Sequence, residues 1–88
     1  MIRKEITIQN EQGFHIRPAQ MFADRANMFK AAVKVIGESG EANGKSMLEL
    51  MTLGLVKGAR IILETDGPDE SEAMRALTEL VEGRFGEA

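Results

Sequence analysis

The sequence predicts an α/β (α+β) open-faced sandwich, with helices covering one face of a β-sheet. Apolar alternation of period two interleaves with helical periodicity in the order strand, helix, strand, strand, helix, strand, helix. The 88 residues suffice for one small domain, 1–88. So few residues clothe a single face of the sheet. The residues leave a mixed or an antiparallel sheet open. Only the second and third strands, joined by a tight turn, read as a hairpin.

Each element has its own signal. Ile2, Ile6 and Ile8 fall on one face of residues 2–8, with Arg3, Glu5 and Thr7 on the other, as in a half-buried strand. A polar turn over 10–13 precedes a helix at about 16–28. Its stripe is Ala19, Phe22, Ala26 and Phe29, at helical steps. Val33 and Val35 mark a second strand, which Gly37 ends. Residues 38–44 read as a tight turn and a short, weak strand. Ser46 opens a short helix to about Leu53, with Gly54 as its C-terminal cap. Lys57-Gly58 is a turn, and residues 60–65 are the strongest strand by composition. Asp66-Gly67-Pro68 turns again. Asp69 with Glu72 has capping-box spacing, ahead of a last helix over about 70–84. Its predicted buried stripe is Ala73, Leu77, Leu80 and Val81.

Composition narrows the function. There is no cysteine, hence no disulfide framework or thiolate metal site. The single histidine makes a transition-metal site a poor expectation, so no metal is predicted. No acidic group has calcium-loop spacing. A net charge of −3 without a basic block argues against nucleic acid. No apolar run reaches the roughly 20 residues that span a membrane. The first residues lack the apolar core of a signal peptide. The expectation is a cytoplasmic monomer without direct membrane insertion.

The chemistry concentrates in Gly13-Phe14-His15-Ile16-Arg17-Pro18-Ala19. A neutral imidazole is available near physiological pH. It attacks a phosphoryl group and later yields it, because the phosphoramidate bond is labile. Phosphoryl transfer needs positioning and charge stabilisation above all. A helix N-terminus supplies unpaired N–H groups, and Arg17 supplies a planar guanidinium. Pro18 suits a first helical turn and disfavours helical dihedrals at Arg17. The helix therefore starts at 16 or 18, with His15 just ahead of it. As a bare pair, His15 and Arg17 would read as a cap and a solvated charge; the complete run at a helix entry favours phosphoryl chemistry.

This run resembles the active-site signature of the HPr family, the histidine-containing phosphocarriers of the bacterial phosphoenolpyruvate-dependent sugar phosphotransferase system. Gly13, His15, Arg17, Pro18 and Ala19 match it. Asn43-Gly44-Lys45-Ser46-Met47 resembles the family's second signature, around a regulatory serine. The resemblance spans nearly the whole chain. It implies a four-stranded, mainly antiparallel sheet under three helices, in the order βαββαβα. It further implies phosphorylation of His15 on Nδ1 (pros) by enzyme I, passage to enzyme IIA components, and stabilisation of the phosphoryl group by Arg17. The family needs no cofactor and is a carrier rather than an enzyme with turnover.

Ser46 with Glu49 is itself a capping box, worth about 1 kcal/mol without regulation. The resemblance adds phosphorylation of Ser46 by an HPr kinase/phosphorylase. Met47, Leu48, Leu50, Met51 and Leu53 are too many apolar residues for one side of a short helix. By resemblance, this helix lies beside the histidine in the partner surface. Phe14, Ile16, Met47, Leu48 and Met51 are the candidates for partner contact; Phe14 and Ile16 are bulkier than the family's usual residues there. Gly44-Lys45-Ser46 imitates the end of a P-loop, but position 39 is Ser where that pattern needs glycine. Two other readings remain at this stage. One is a regulatory, nitrogen-related phosphocarrier. The other is a phospho-switched binding module acting through helix 46–53.

Overall fold

The apolar alternations in the strands all face one way. In the structure, a computed structural model that describes residues 1–87, they form the inner face of a four-stranded sheet. The elements are β1 (Ile2–Thr7), α1 (Ile16–Ala26), β2 (Ala32–Gly37), β3 (Gly40–Asn43), α2 (Met47–Thr52), β4 (Arg60–Asp66) and α3 (Glu70–Glu82). A 3-10 turn, Arg84–Gly86, follows α3. The sheet order is β1-β4-β2-β3, and every pair is antiparallel. The antiparallel expectation therefore holds, and the mixed alternative falls.

β4 occupies the interior of the sheet, between β1 and β2. Its composition suits that place: Ile61 lies opposite Ile6 and Leu63 opposite Val35, all buried. Cross-strand apolar pairs on a covered face are the unit of sheet stabilisation. The helices supply the other wall, with Phe22, Ala26, Leu50, Leu77 and Val81 in the same core. On the opposite face, Arg3 pairs with Glu64 at 2.7 Å across β1 and β4.

Several boundaries differ from the sequence reading. β1 ends at Thr7, yet Ile8 stays in step; its N–H donates to the Ala59 carbonyl, and its own carbonyl accepts from Gly58. α1 stops at Ala26 rather than 28. There the Asn27 side chain donates to the carbonyls of Ala23 and Lys45, and tighter bonds to Arg25 and Ala26 replace the helical ladder. Phe29 consequently leaves the stripe and is half-buried. α3 ends at Glu82 rather than 84. Its buried stripe is Ala73, Met74, Leu77, Thr78 and Val81, rotated so that Leu80 is half-buried.

The Asp69–Glu72 box does not form, because Asp69 makes no side-chain cap. Its carboxylate accepts instead from the N–H groups of Lys30, at 2.9 Å, and Ala31, at 2.8 Å. These are donors just ahead of β2. The sequence-adjacent partner lost to a tertiary one that offers two aligned donors. The Lys30 N–H holds the Asp69 carboxyl below its ordinary range against some desolvation, with Ala31 adding to it. Glu70 accepts from Gly67 and is lowered for that reason first.

A depressed folded-state value means stabilisation that is present above the ordinary carboxylate range, about pH 4. It is lost as pH falls through the lower folded value. Asp69→Asn should therefore destabilise the protein at neutral pH and flatten the loss of stability on acidification below about pH 4. Urea unfolding as a function of pH would check both.

Candidate functional site

His15 caps α1 with extended backbone, φ −82° and ψ −170°. Its carbonyl accepts the first helical bond, from Ala19 at 3.1 Å, while its side chain makes no cap. The helix thus starts at Ile16, and Arg17 is helical despite the proline that follows it. That geometry leaves the imidazole half-buried beside the open N-terminus of α1, where first-turn N–H groups lack helical partners.

The approach to His15 is held rigidly. Gly13 has φ +62°, and a side chain there would run into the Leu55 carbonyl and the Val56 backbone. The Phe14 N–H donates to that same Leu55 carbonyl at 3.0 Å. The Phe14 ring turns inward, 5.7 Å from Phe22 and edge-on to Phe85 at 5.3 Å. It is only 5% exposed, so Phe14 is corrected from partner contact to core. Its bulk anchors the loop that carries the histidine.

A carboxylate absent from the sequence reading completes the site. Glu87 accepts from His15 Nε2, at 3.2 Å to Oε1 and 3.1 Å to Oε2. Arg17 Nη1 donates to Oε2 at 2.8 Å. Asn10 Nδ2 donates to Oε1 at 3.1 Å and to the Gly13 carbonyl at 2.6 Å. Asn10 is fully buried, so one amide ties the active loop to the carboxylate. Desolvation pushes the Glu87 carboxyl up; the hydrogen bonds from His15, Asn10 and Arg17 outweigh it and hold the group below its ordinary range.

An ionised carboxylate only accepts, so the ring proton sits on Nε2. Among the described residues, no hydrogen bond reaches Nδ1. Its lone pair is the one left for chemistry.

Glu87 reaches the histidine because the backbone after α3 doubles back. Arg84 and Phe85 both take left-handed dihedrals, φ 56° and 55°. Such a conformation costs a non-glycine residue roughly 1–2 kcal/mol. Burial of Phe85, 1% exposed, and its edge contact with Phe14 offset that strain. The one sequence signal for this was an aromatic just past the helix, followed by glycine: a Phe there has to bury, which folds the tail back. Asn10 carries only a turn signal in the sequence.

Residues 2–83 match the family model described as "PTS HPr component phosphorylation site". The chain belongs to the HPr family. It is 48% identical to the phosphocarrier protein HPr of Neisseria meningitidis serogroup A, over 99% of this chain and 98% of that protein. It is 39% identical to the HPr of Cupriavidus necator over the same shares. The solved structure of HPr-C-His from Thermoanaerobacter tengcongensis overlays with a TM-score of 0.95 at 38% identity, covering 100% of this chain and 99% of that one. The HPr family is the phosphocarrier family of the phosphotransferase system. No helix among the described residues is long and apolar enough to cross a membrane.

The second HPr signature lies at the start of α2. Ser46 Oγ accepts from the Glu49 N–H at 3.2 Å, so the serine half of the capping box forms. The other half does not: the Glu49 carboxylate accepts from Asn43, and the Ser46 N–H goes to the Asn43 carbonyl. Gly44 packs its bare backbone against the Val33 side chain, a close approach of turn to sheet. Of the apolar residues singled out from sequence, Ile16 is 60% exposed, Leu48 73% and Met51 37%. Met47 is half-buried: it packs against the core on the inner face of α2 with Leu50 and keeps part of its side chain exposed. Val56 is exposed beside Gly13, in the irregular segment between α2 and β4 where no periodicity marks a face.

Phe85→Ala should cost about 3–5 kcal/mol in denaturant unfolding. It should also loosen Glu87 from His15, seen as a change in the His15 ring resonances at a pH where the fold is intact.

Proposed function

We propose that His15 accepts a phosphoryl group on Nδ1 from phospho-enzyme I and passes it to enzyme IIA components of the sugar phosphotransferase system. The observation that carries this reading is the asymmetry of the ring: Nε2 is engaged by Glu87, and Nδ1 is left without a hydrogen bond among the described residues. The Nδ1 lone pair attacks phosphorus as the bond to the donor breaks, and the donor atom keeps that electron pair. Return of the group to an acceptor reverses the step. The charge that develops on the phosphoryl oxygens meets the N-terminus of α1, worth about 0.3–1 kcal/mol. Arg17 commits Nη1 to Glu87, and its remaining donors serve the phosphoryl oxygens. No cofactor enters, and the protein acts as a cytoplasmic monomer.

Incubation with phosphoenolpyruvate and a purified, active enzyme I tests this. Intact-mass analysis and peptide mapping should show one acid-labile, base-stable phosphate on His15, absent from His15→Ala. Failure to phosphorylate the wild-type protein would refute the carrier reading.

Partner docking falls to the exposed residues Ile16, Leu48 and Met51; flexible methionine suits several partners. Ser46 is a candidate for an HPr kinase/phosphorylase. A phosphate there would add about −1.5 to −2 charges at the start of α2, which tolerates them, while turning the docking face hostile to an acidic partner. Met51→Glu and Ser46→Asp should each slow phosphorylation of His15 by enzyme I without loss of fold. Rates equal to wild type would remove the docking face and the regulatory serine, respectively.

A further inference from the structure

The carboxylate on His15 comes from the last turn of the chain, beyond the residues matched by the family model. Its delivery is built rather than incidental. Two consecutive left-handed non-glycine residues and Gly86, at φ 75°, turn the chain back onto α1. Phe85 pins that turn to Phe14, the residue before the histidine. Buried Asn10 then clamps the carboxylate to the active loop. Backbone strain of this kind persists only where the surroundings over-determine it. Here the surroundings converge on one outcome: both Glu87 oxygens lie within 3.2 Å of His15 Nε2.

Resting on the carrier reading above, we propose that Glu87 is a positioning residue that keeps the proton on Nε2 in both the free and the phosphorylated protein, and so holds the phosphohistidine in its transferable form. The electron count shows why that proton matters. When the Nδ1 lone pair bonds to phosphorus, a ring that retains its Nε2 proton becomes cationic. The adjacent carboxylate compensates that charge. When the P–Nδ1 bond later breaks, its electron pair returns to Nδ1 and the ring leaves as neutral imidazole, still protonated on Nε2. No proton has to be found at the moment of transfer. Without the carboxylate, the phosphorylated ring gives its Nε2 proton to water, and the departing group becomes an imidazolide-like anion, which leaves reluctantly. The carboxylate thus shortens the life of the phosphorylated state and raises its readiness to transfer.

The test uses phosphoramidate, a small-molecule donor, so that it does not depend on enzyme I. The donor P–N bond breaks, ammonia leaves with the electron pair and takes up a proton, and phosphorus bonds to His15. Loss of the phosphate at neutral pH is then followed by intact mass. Glu87→Gln keeps the shape and removes the charge. It should lengthen the phosphohistidine lifetime by roughly three- to tenfold, the margin between a charge-assisted and a neutral hydrogen bond. Glu82→Gln removes the same charge from an exposed site in the last turn of α3 and should leave the lifetime unchanged. A Glu87→Gln lifetime equal to or shorter than wild type would overturn the proposal, and so would equal lengthening by Glu82→Gln.

A second readout needs no phosphate. Ring nitrogen shifts of the unmodified protein at alkaline pH should show the Nε2–H tautomer dominant in wild type and a mixture in Glu87→Ala. A dominant Nδ1–H tautomer in wild type would also overturn the inference. The carrier reading fails separately. If enzyme I does not phosphorylate His15 while the lifetimes differ as expected, the donor assignment is wrong and the role of Glu87 stands. If enzyme I works and the lifetimes agree, only Glu87 loses its role.

Discussion

The edge contact between Phe14 and Phe85 is the interaction on which the site depends. It joins residues at opposite ends of the sequence, and each ring precedes a polar residue of the site by one or two positions. Phe14 fixes where His15 leaves the loop. Phe85 fixes where Glu87 arrives. The core thus does for the active site what a metal or a disulfide does in other small proteins: it brings distant backbone into register. Gly13 completes the arrangement by letting the loop approach Leu55 more closely than any side chain would allow. The consequence is a histidine whose two nitrogens differ before any partner arrives.

The parts of the molecule legible in the sequence are those with local signals. The alternation of Ile2, Ile6 and Ile8 and the apolar run over 60–65 gave strands on the correct faces. The run from Gly13 to Ala19 placed the histidine at a helix entry, where it stands. The neighbours of β4 were not legible, because strand order depends on contacts between residues such as Ile6 and Ile61 that no local pattern encodes. Asp69 met the spacing rule for a cap and still served another element, because the N–H groups of Lys30 and Ala31 engage both of its oxygens at once. Glu87 was invisible for a similar reason: a carboxylate beyond a helix end has no periodicity, and only the burial of Phe85 explains its position.

α2 illustrates how six residues serve two purposes. Met47 and Leu50, three apart, face the core, while Leu48 and Met51, also three apart, face out. Residues at that spacing share a helix face. An apolar helix that looks overfilled as a core element is thus divided between the interior and the proposed docking face. The Ser46 hydroxyl caps this same helix, so a modification there acts at the root of the exposed face rather than on the core.

The sheet order also constrains how the chain acquires its shape during synthesis. β1 and β2 run in the same direction on either side of β4, and neither pairs with the other. An emerging chain that has released only its first half can close the β2–β3 hairpin, but β1 has no strand to join until residues 60–66 appear. Assembly of the sheet therefore waits for a sequence-distant strand, and such non-local pairing slows folding. Phe85 and Glu87 follow β4 and α3 in the chain, so the histidine acquires its carboxylate only after the strand that completes the sheet has been made.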